Sequence, residues 1–311
     1  MKWLLYLIAS LPACLLVMAL GISSCERPPT IAVVVDGSVS TGGAPTVPPA
    51  TGGAEPIEPP LPACDFVPVP APKNGRALSA VLAERIVGGT VVPPGKHPQV
   101  VSLQYRCSAT SWCHYCGGTI VAKRYVLSAA HCAPQPDERA VYGCTDLRSS
   151  DCVSVSIRRA TQPPEFSSVV GGWDVSIVDL RAEVDLTPVE LNWDPAIETG
   201  TAVVVGWGVT SEDATSGSPV LREVEVPLLS LNSCNVDYAG LFTLGETHLC
   251  AGLEEGGKDS CFGDSGGPLF RKGTKVQLGT VSFGEGCARP RAPGIYGRMS
   301  VMRDRIVACL R

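Results

Sequence analysis

Fourteen cysteines in a chain of 311 residues are the feature that most restricts how this protein can fold. No two C-x-x-C motifs follow each other at the spacing of a zinc ribbon, so the cysteines do not indicate a zinc site. Cysteines in this number are typical of disulfide-bonded proteins, and disulfides persist in an oxidising compartment. We therefore expect an exported protein whose folded part is cross-linked by disulfides.

Composition limits the size of that folded part and the partners it can have. With 45% hydrophobic residues, the chain can bury the core of one large domain or of two small ones. The formal net charge is −5, and no run of Lys and Arg is longer than two residues. Nucleic acid is bound by clustered positive charge, so this composition argues against a nucleic-acid partner.

The N-terminus has the pattern of an export signal. Lys2 precedes an apolar run over residues 3–22, which predicts a signal peptide over residues 1–24. The string ISSC that ends at Cys25 resembles a bacterial lipobox, in which the cysteine is lipidated and anchors the protein to the cell envelope. Two alternatives stay open. They are ordinary cleavage with secretion, and an uncleaved anchor, because the apolar run is long for a signal peptide.

The composition then changes twice along the chain. Residues 25–63 are rich in Pro, Gly, Thr and Ala and have almost no aromatic side chains to bury, which predicts a disordered linker. Residues 64–85 end at Arg85, and the composition of a folded domain begins at Ile86. We therefore divide the remainder into a propeptide, 64–85, and one folded domain, 86–311.

The folded domain has the sequence pattern of an all-β protein. Its apolar segments are short and often alternate with polar residues, as in 153–157, and turn residues separate them closely. Only residues 301–310 have spacing suited to an amphipathic helix, with Val301, Ile306 and Val307 on the apolar face. We expect β-strands followed by one short C-terminal helix.

Three short strings carry the residue types that hydrolyse an amide through a covalent intermediate. Such chemistry needs a nucleophilic hydroxyl, a base, a group that orients the base, and donors for the oxyanion. LSAAHC ends an apolar segment with His131, WDVSI opens another with Asp174, and GDSGGP places Ser265 among glycines. The residues follow the order His, Asp, Ser.

These strings, together with IVGG, VGWG, KDSC and SFGEGC in this order, resemble the trypsin and chymotrypsin family of serine endopeptidases over residues 86–311. The resemblance implies two packed six-stranded antiparallel β-barrels with a short C-terminal helix. It also implies that Ser265 is the nucleophile, His131 the base and Asp174 the group that orients the base. The backbone N–H groups of Gly263 and Ser265 would form the oxyanion hole.

Other residues of the same types compete for these roles. His97, His114 and His248 have no such context, and we interpret them as structural. Asp179 lies five residues after Asp174 and is an alternative orienting group, but in the family the acid opens the strand, as Asp174 does.

The resemblance also implies a preference for basic residues. Asp259 lies six residues before Ser265, at the family position that forms the base of the primary specificity pocket, where an acid selects Arg or Lys. The pocket walls match segments that hold Ser282, Phe283, Gly284 and Gly294. Phe283 stands where the family usually has Trp.

A further implication is activation from a zymogen. The Arg85–Ile86 bond matches the activation site, and cleavage would free the ammonium of Ile86 to pair with Asp264. Because Arg85 fits a pocket with Asp259 at its base, self-activation is one hypothesis, and activation by a similar protease is the other.

Family matching implies disulfides that join Cys116 to Cys132, Cys234 to Cys250 and Cys261 to Cys287. For the remaining cysteines, short loops favour pairing Cys107 with Cys113 and Cys144 with Cys152, which would leave Cys64 with Cys309. Their pairing stays open on the sequence alone. A Cys64–Cys309 bond would keep the propeptide attached after activation.

We expect a monomer that needs no cofactor and no metal, since the paired glutamates that bind calcium in many relatives are missing from residues 141–166. The expected partners are proteins or peptides that contain Arg or Lys, together with protein protease inhibitors and, for a lipidated Cys25, a membrane. Two alternatives to an active enzyme remain. One is an inactive binding module on the same fold, and the other is a tethered lipoprotein with a structural role.

Overall fold

The computed structural model describes residues 63–72, 87–209 and 217–310. The predicted signal peptide, Cys25, almost all of the linker, and the Arg85–Ile86 bond lie outside these ranges. Within them the architecture is two closed antiparallel barrels of six strands each and a C-terminal helix, as the resemblance implies.

Six strands form the first barrel, in the order β3-β4-β5-β8-β7-β6, and it closes because β6 also pairs with β3. Along each strand, inward apolar side chains build a core that includes Leu103, Ile120 and Val178. The strand bounds are β3, Val100–Arg106; β4, Trp112–Ala122; β5, Tyr125–Ser128; β6, Arg139–Tyr142; β7, Val153–Gln162; and β8, Ser176–Leu180.

The second barrel contains β10-β13-β14-β15-β12-β11 and closes through pairing of β11 with β10. Two short strands extend its sheet: β2, Thr90–Val91, pairs with β11, and β9, Glu190–Leu191, pairs in parallel with β14. The barrel strands are β10, Thr201–Gly206; β11, Arg222–Leu229; β12, His248–Ala251; β13, Pro268–Arg271; β14, Val276–Phe283; and β15, Gly294–Arg298.

A separate apolar cluster joins the two barrels. It combines Leu127 and Ile177 of the first barrel with Val205 and Phe270 of the second. Burial of this shared layer fixes one barrel against the other, so loops from both barrels meet in a constant geometry at their junction.

The C-terminal helix, α2, spans Met299–Cys309, two residues earlier than the sequence predicts at its start. Met299, Met302 and Ile306 are its fully buried face, at spacings of three and four residues, and they pack in the layer between the barrels. Val301 and Val307, which we expected on the apolar face, are only half-buried.

A second helix, α1, spans Leu231–Asp237 and was not predicted. Ser230 begins it, because its side-chain oxygen accepts a hydrogen bond from the Ser233 N–H at 3.1 Å. The helix has seven residues, and Cys234 is its buried member.

The segment before the domain, residues 63–72, packs on the first barrel. Its strand β1, Val67–Pro68, pairs with β7, and Phe66 is buried in the layer between the barrels. A disulfide joins Cys64 to Cys309 in α2. The folded unit therefore includes part of the segment that the sequence assigns to the propeptide.

The other five disulfides join the pairs named in the sequence analysis: Cys107–Cys113, Cys116–Cys132, Cys144–Cys152, Cys234–Cys250 and Cys261–Cys287. Within the described residues, neither helix has the length and apolar character to cross a membrane.

Candidate active site

A cleft of about 860 Å³ lies at the junction of the two barrels. His131 lines it from the first barrel, and Ser265 and Asp259 line it from the second. The cleft therefore contains two residues of the predicted triad together with the predicted specificity residue.

His131 is held by the local fold at the end of β5. It lies in a 3-10 turn, Ala130–Cys132, and the Cys116–Cys132 disulfide ties this turn to β4. Asp174 accepts two hydrogen bonds from His131. The backbone N–H of His131 lies 2.9 Å from Oδ1 of Asp174, and its Nδ1 lies 2.7 Å from Oδ2. Because a carboxylate accepts, Nδ1 carries a proton and Nε2 is left to face the cleft.

The His131–Asp174 pair is electrostatically coupled. Burial alone lowers the pKa of His131, but the charge of Asp174 and the hydrogen bond to it outweigh burial, so the net pKa of the imidazole is raised. Burial likewise opposes ionisation of Asp174, which is 1% exposed, yet its pKa is lowered by the charge and hydrogen bonds of His131 and by the Ser282 hydroxyl. Asp174 therefore makes protonation of the His131 imidazole more favourable than it is for a free histidine.

Two further residues hold Asp174. The hydroxyl of Ser282, on β14 of the second barrel, donates to Oδ2 at 2.5 Å. Trp173 precedes the acid in a left-handed conformation with φ of 60°, which costs roughly 1–2 kcal/mol for a residue with a side chain. The guanidinium of Arg305 lies 4.8 Å from the centre of the Trp173 ring, and the ring packs against the layer between the barrels.

Ser265 lies in a tight turn that only glycines allow. Gly263 and Gly266 have φ of 86° and 78°, and a Cβ on Gly266 would lie 2.3 Å from the Ser128 hydroxyl. The Ser265 carbonyl accepts a hydrogen bond from the Gly117 N–H of β4 at 2.7 Å, which ties the turn to the first barrel.

Within the described residues, the N–H groups of Gly263 and Ser265 have no hydrogen-bond acceptor, and both residues line the cleft. Two unpaired donors at one turn can receive an oxyanion. No hydrogen bond joins Ser265 Oγ to His131 Nε2 among the same residues. In sites without substrate this contact is often long and shortens on binding.

Asp259 lines the cleft and is 3% exposed. Its carboxylate accepts from the Ala288 N–H at 3.0 Å, and burial raises its pKa to about 7. A Cβ on Gly294 would lie 2.7 Å from Oδ1 of Asp259, so this glycine keeps the space above the carboxylate open. Ser282, Phe283 and Gly284 line the same cleft.

Asp264 is fully buried beside the Ser265 turn. Its two oxygens accept from the N–H groups of Gly208 and Cys261, at 2.9 and 3.0 Å. Within the described residues no cation contacts it, and burial raises its pKa to about 8. A Cβ on Gly206 would lie 2.2 Å from Oδ1, so the cavity for this carboxylate is formed by glycines.

The competing residues lie elsewhere. Asp179 bonds to Arg124, Arg158 and Arg159 on the outside of the first barrel. His97 pairs with Glu223 at 2.9 Å, and the ring of His248 contacts backbone carbonyls. None of them approaches the imidazole of His131.

His114 contributes more than the sequence indicates. It links Ser102 on one side, at 2.8 Å from Nδ1, to the carbonyl of Gly263 on the other, at 2.8 Å from Nε2. The sequence separation to Gly263 is 149 residues, so no local pattern reveals this contact. A histidine two positions before Cys116 on the strand leading to the disulfide is the one signal that the sequence holds.

Comparisons with known proteins agree with this geometry. A family model described as Trypsin matches residues 86–306. Trypsin 5G1 of Aedes aegypti is 36% identical over 228 residues, which cover 71% of this chain and 83% of the relative.

Proposed function

Because the chain belongs to the trypsin family of serine proteases, we propose that it is an active endopeptidase that cleaves after Arg or Lys through an acyl-enzyme. The observation that carries the proposal is the combination, in one cleft, of the His131–Asp174 pair, the unpaired N–H groups at Ser265, and the buried carboxylate of Asp259.

The proposed reaction starts with the substrate side chain at Asp259. A buried carboxylate whose pKa is raised to about 7 gains from a guanidinium or ammonium, because the cation stabilises the charge that burial disfavours. A neutral side chain offers no such gain. The proposed enzyme therefore prefers Arg or Lys at the residue whose carbonyl group is attacked.

The next step is acylation. Ser265 Oγ attacks the carbonyl carbon while Nε2 of His131 takes the hydroxyl proton, and the N–H groups of Gly263 and Ser265 donate to the oxyanion. The imidazolium is stabilised by Asp174. It then gives its proton to the leaving amine, and water repeats the sequence on the acyl-enzyme to release the acid.

Activation by cleavage at Arg85–Ile86 is part of the proposal. Both residues lie outside the described ranges, but Val87 is described, and its backbone pairs with Asp259 at N···O distances of 3.2 and 3.4 Å. A new ammonium at Ile86 would be the cation that the buried Asp264 carboxylate lacks. Since Asp264 precedes Ser265, the pair would order the oxyanion turn.

We also propose that the protein is exported and that residues 64–72 stay attached after activation through the Cys64–Cys309 disulfide. Strand β1 and the contacts of Arg305 with Asp65 and Phe66 add to this attachment. Any lipid on Cys25 would then stay with the active enzyme.

Hydrolysis of a chromogenic amide with Arg before the scissile bond tests the proposed activity. We expect cleavage after activation, loss of activity in Ser265→Ala, and titration of one site by a serine-directed covalent inhibitor. An activated, folded protein that binds cationic ligands but hydrolyses no Arg or Lys substrate would instead be the inactive binding module.

A further inference from the structure

One part of the cleft lining belongs to the first barrel, whereas Asp259 belongs to the second, and we call this part the first-barrel arm. Trp112, Gln104 and Arg139 line it, on the neighbouring strands β4, β3 and β6. Strand register places them together: Trp112 is opposite Arg106 on β3, and Gln104 is opposite Arg139 on β6. This arm is therefore built on the barrel itself.

Two guanidinium groups share one indole at this arm. The guanidinium carbons of Arg106 and Arg139 lie 4.6 and 4.5 Å from the centre of the Trp112 ring. Arg139 also donates twice to Oε1 of Gln104, at 3.0 and 2.7 Å, and Arg106 donates to the Ala109 carbonyl at 2.9 Å. Both side chains are held in place by these neutral contacts.

Neither guanidinium has a carboxylate partner within the residues that the structure describes. The nearest acid in sequence, Glu138, is buried and accepts instead from the Tyr115 hydroxyl and the Gln135 N–H. Burial, and then the charge of Arg106, lower the pKa of Arg139. Two like charges near one ring repel each other, and an anion bound close to both would offset that repulsion.

The arm lies where the leaving part of a substrate must run. With the side chain of the cleaved residue at Asp259, the chain beyond the scissile bond continues past Ser265, away from that pocket. β4 borders this path, because its Gly117 N–H bonds to the Ser265 carbonyl and its Cys116 is bonded to Cys132 beside His131. The same strand leads back to Trp112.

We propose that Arg106, Trp112 and Arg139 form a subsite for an acidic side chain, Asp or Glu, on the leaving-group side of the scissile bond. The proposal rests on the proposed function and narrows its substrate class to Arg or Lys followed, within a few residues, by an acid. Charge complementarity of this kind raises association rates and excludes substrates with a basic residue at the same position.

Internally quenched peptides test this subsite. The set has a fixed Arg at the cleaved bond and Glu, Gln or Lys at each of the first three positions after it. We expect kcat/KM to be about tenfold higher for Glu than for Gln at one of these positions, lower again for Lys, and the preference to shrink in high salt. Equal rates for the three peptides at all positions would overturn the proposal.

Variants assign the preference to the two arginines. Arg106→Gln with Arg139→Gln should bring the Glu to Gln ratio close to one, and Arg139→Glu should favour Lys over Glu. Each ratio compares two peptides on one preparation, so partial loss of folded protein cancels. Arg159→Gln, on the outer face of the first barrel, is the matched control and should keep the ratio. A ratio unchanged in the double variant would contradict the assignment.

An amide substrate that ends in p-nitroaniline after Arg has no residues on the leaving side. Its hydrolysis by the wild-type protein therefore tests the proposed protease activity independently of the proposed subsite. Hydrolysis without any Glu preference removes the subsite and leaves the protease, whereas absence of hydrolysis removes the proposed function itself.

Discussion

Nε2 of His114, on the first barrel, lies 2.8 Å from the carbonyl oxygen of Gly263, on the second. Because a carbonyl only accepts, Nε2 carries the proton, and Nδ1 accepts from the Ser102 hydroxyl. Burial lowers the pKa of His114 to about 4, so the ring stays neutral above that pH. A neutral histidine thus fixes the Gly263–Asp264 peptide group, which lies between the peptide groups of the two proposed oxyanion donors, the N–H groups of Gly263 and Ser265.

We expect His114→Phe to lower kcat by roughly 10- to 100-fold with little change in KM, since loss of a whole oxyanion donor costs about 100- to 1,000-fold. His114→Gln, which keeps an N–H donor, should recover part of the loss. Steady-state kinetics on an Arg amide measures both, with His97→Gln as the control. A loss that appears only in KM would contradict a role at the oxyanion.

Asp174 should set the acid side of the pH profile. The base must be neutral to act, and the pKa of His131 is raised, so kcat/KM should fall as the pH drops through that raised value. Asp174→Asn removes the charge, and we expect the acid limb to move to lower pH. We also expect kcat to fall by about 10⁴-fold, the magnitude known for the matching change in a related protease.

The control for this prediction is Asp179→Asn. Asp179 lies within β8, and its ion pairs with three arginines give it a structural role. Its replacement should lower the melting temperature and leave kcat and the pH profile in place. If the acid limb shifts in Asp179→Asn and does not shift in Asp174→Asn, then Asp179, and not Asp174, is the acid that acts on His131.

Binding of a cation at Asp259 should release protons. The pKa of the empty carboxylate is about 7, and a bound cation lowers it. Affinity for benzamidine should therefore rise with pH up to about 7 and level off above it. Calorimetry near pH 7 in two buffers of different ionisation enthalpy should show release of about half a proton per benzamidine bound.

Asp259→Asn is the matched variant, because it keeps the shape and removes the charge. We expect proton release to vanish and kcat/KM for Arg substrates to fall by about 10⁴-fold. Proton release that persists in Asp259→Asn would show that another group titrates.

Asp264 should make the uncut chain less stable as the pH rises. Its pKa is about 8 in the folded state, against 3.8 for an ordinary aspartate, so the folded state holds a proton that the unfolded state loses between these values. The stabilisation is complete below about pH 4 and is lost as the pH rises through about 8. Urea denaturation of uncut Ser265→Ala should show this fall.

Cleavage at Arg85–Ile86 should reduce the fall, because the new ammonium can pair with the carboxylate. Asp264→Asn should abolish the contribution of this carboxyl group to the pH dependence of stability in both the cut and uncut forms. Equal pH slopes for uncut Ser265→Ala with and without Asp264→Asn would contradict the prediction.

The Cys64–Cys309 disulfide should hold the N-terminal segment on the activated enzyme. On a denaturing gel of the activated enzyme, we expect this segment to separate from the rest of the protein only when reductant is present. The double variant Cys64→Ser with Cys309→Ser should lose it without reductant, and the uncut double variant should be less stable by roughly 2–5 kcal/mol. Separation of the segment from the cut wild type without reductant would exclude the bond.

The sequence alone supports a prediction for residues whose proposed role depends on their neighbours in the chain. The turn at Ser265 needs glycines at adjacent positions, so its motif is contiguous and can be read directly. The fold followed from the same strings through the family resemblance. Alternation in short strands alone gave only the all-β class.

Features that depend on distant contacts were not predicted. His114 meets Gly263 across 149 residues, and the guanidinium of Arg305, in the C-terminal helix, lies over the ring of Trp173, which precedes β8. Helix α1 has one buried residue, so it has no apolar periodicity to detect. Phe66 is a single aromatic residue within a proline-rich stretch, and only the assembled layer between the barrels explains its burial.

The bond between Cys64 and Cys309 also determines where mechanical force enters the molecule. A pull on the chain before Cys64 passes through the disulfide into the C-terminal helix, which packs in the layer between the barrels. This path through the disulfide does not include the strands next to His131 and Ser265. A pull between the chain before Cys64 and the C-terminus would therefore pass through this bond and bypass both barrels.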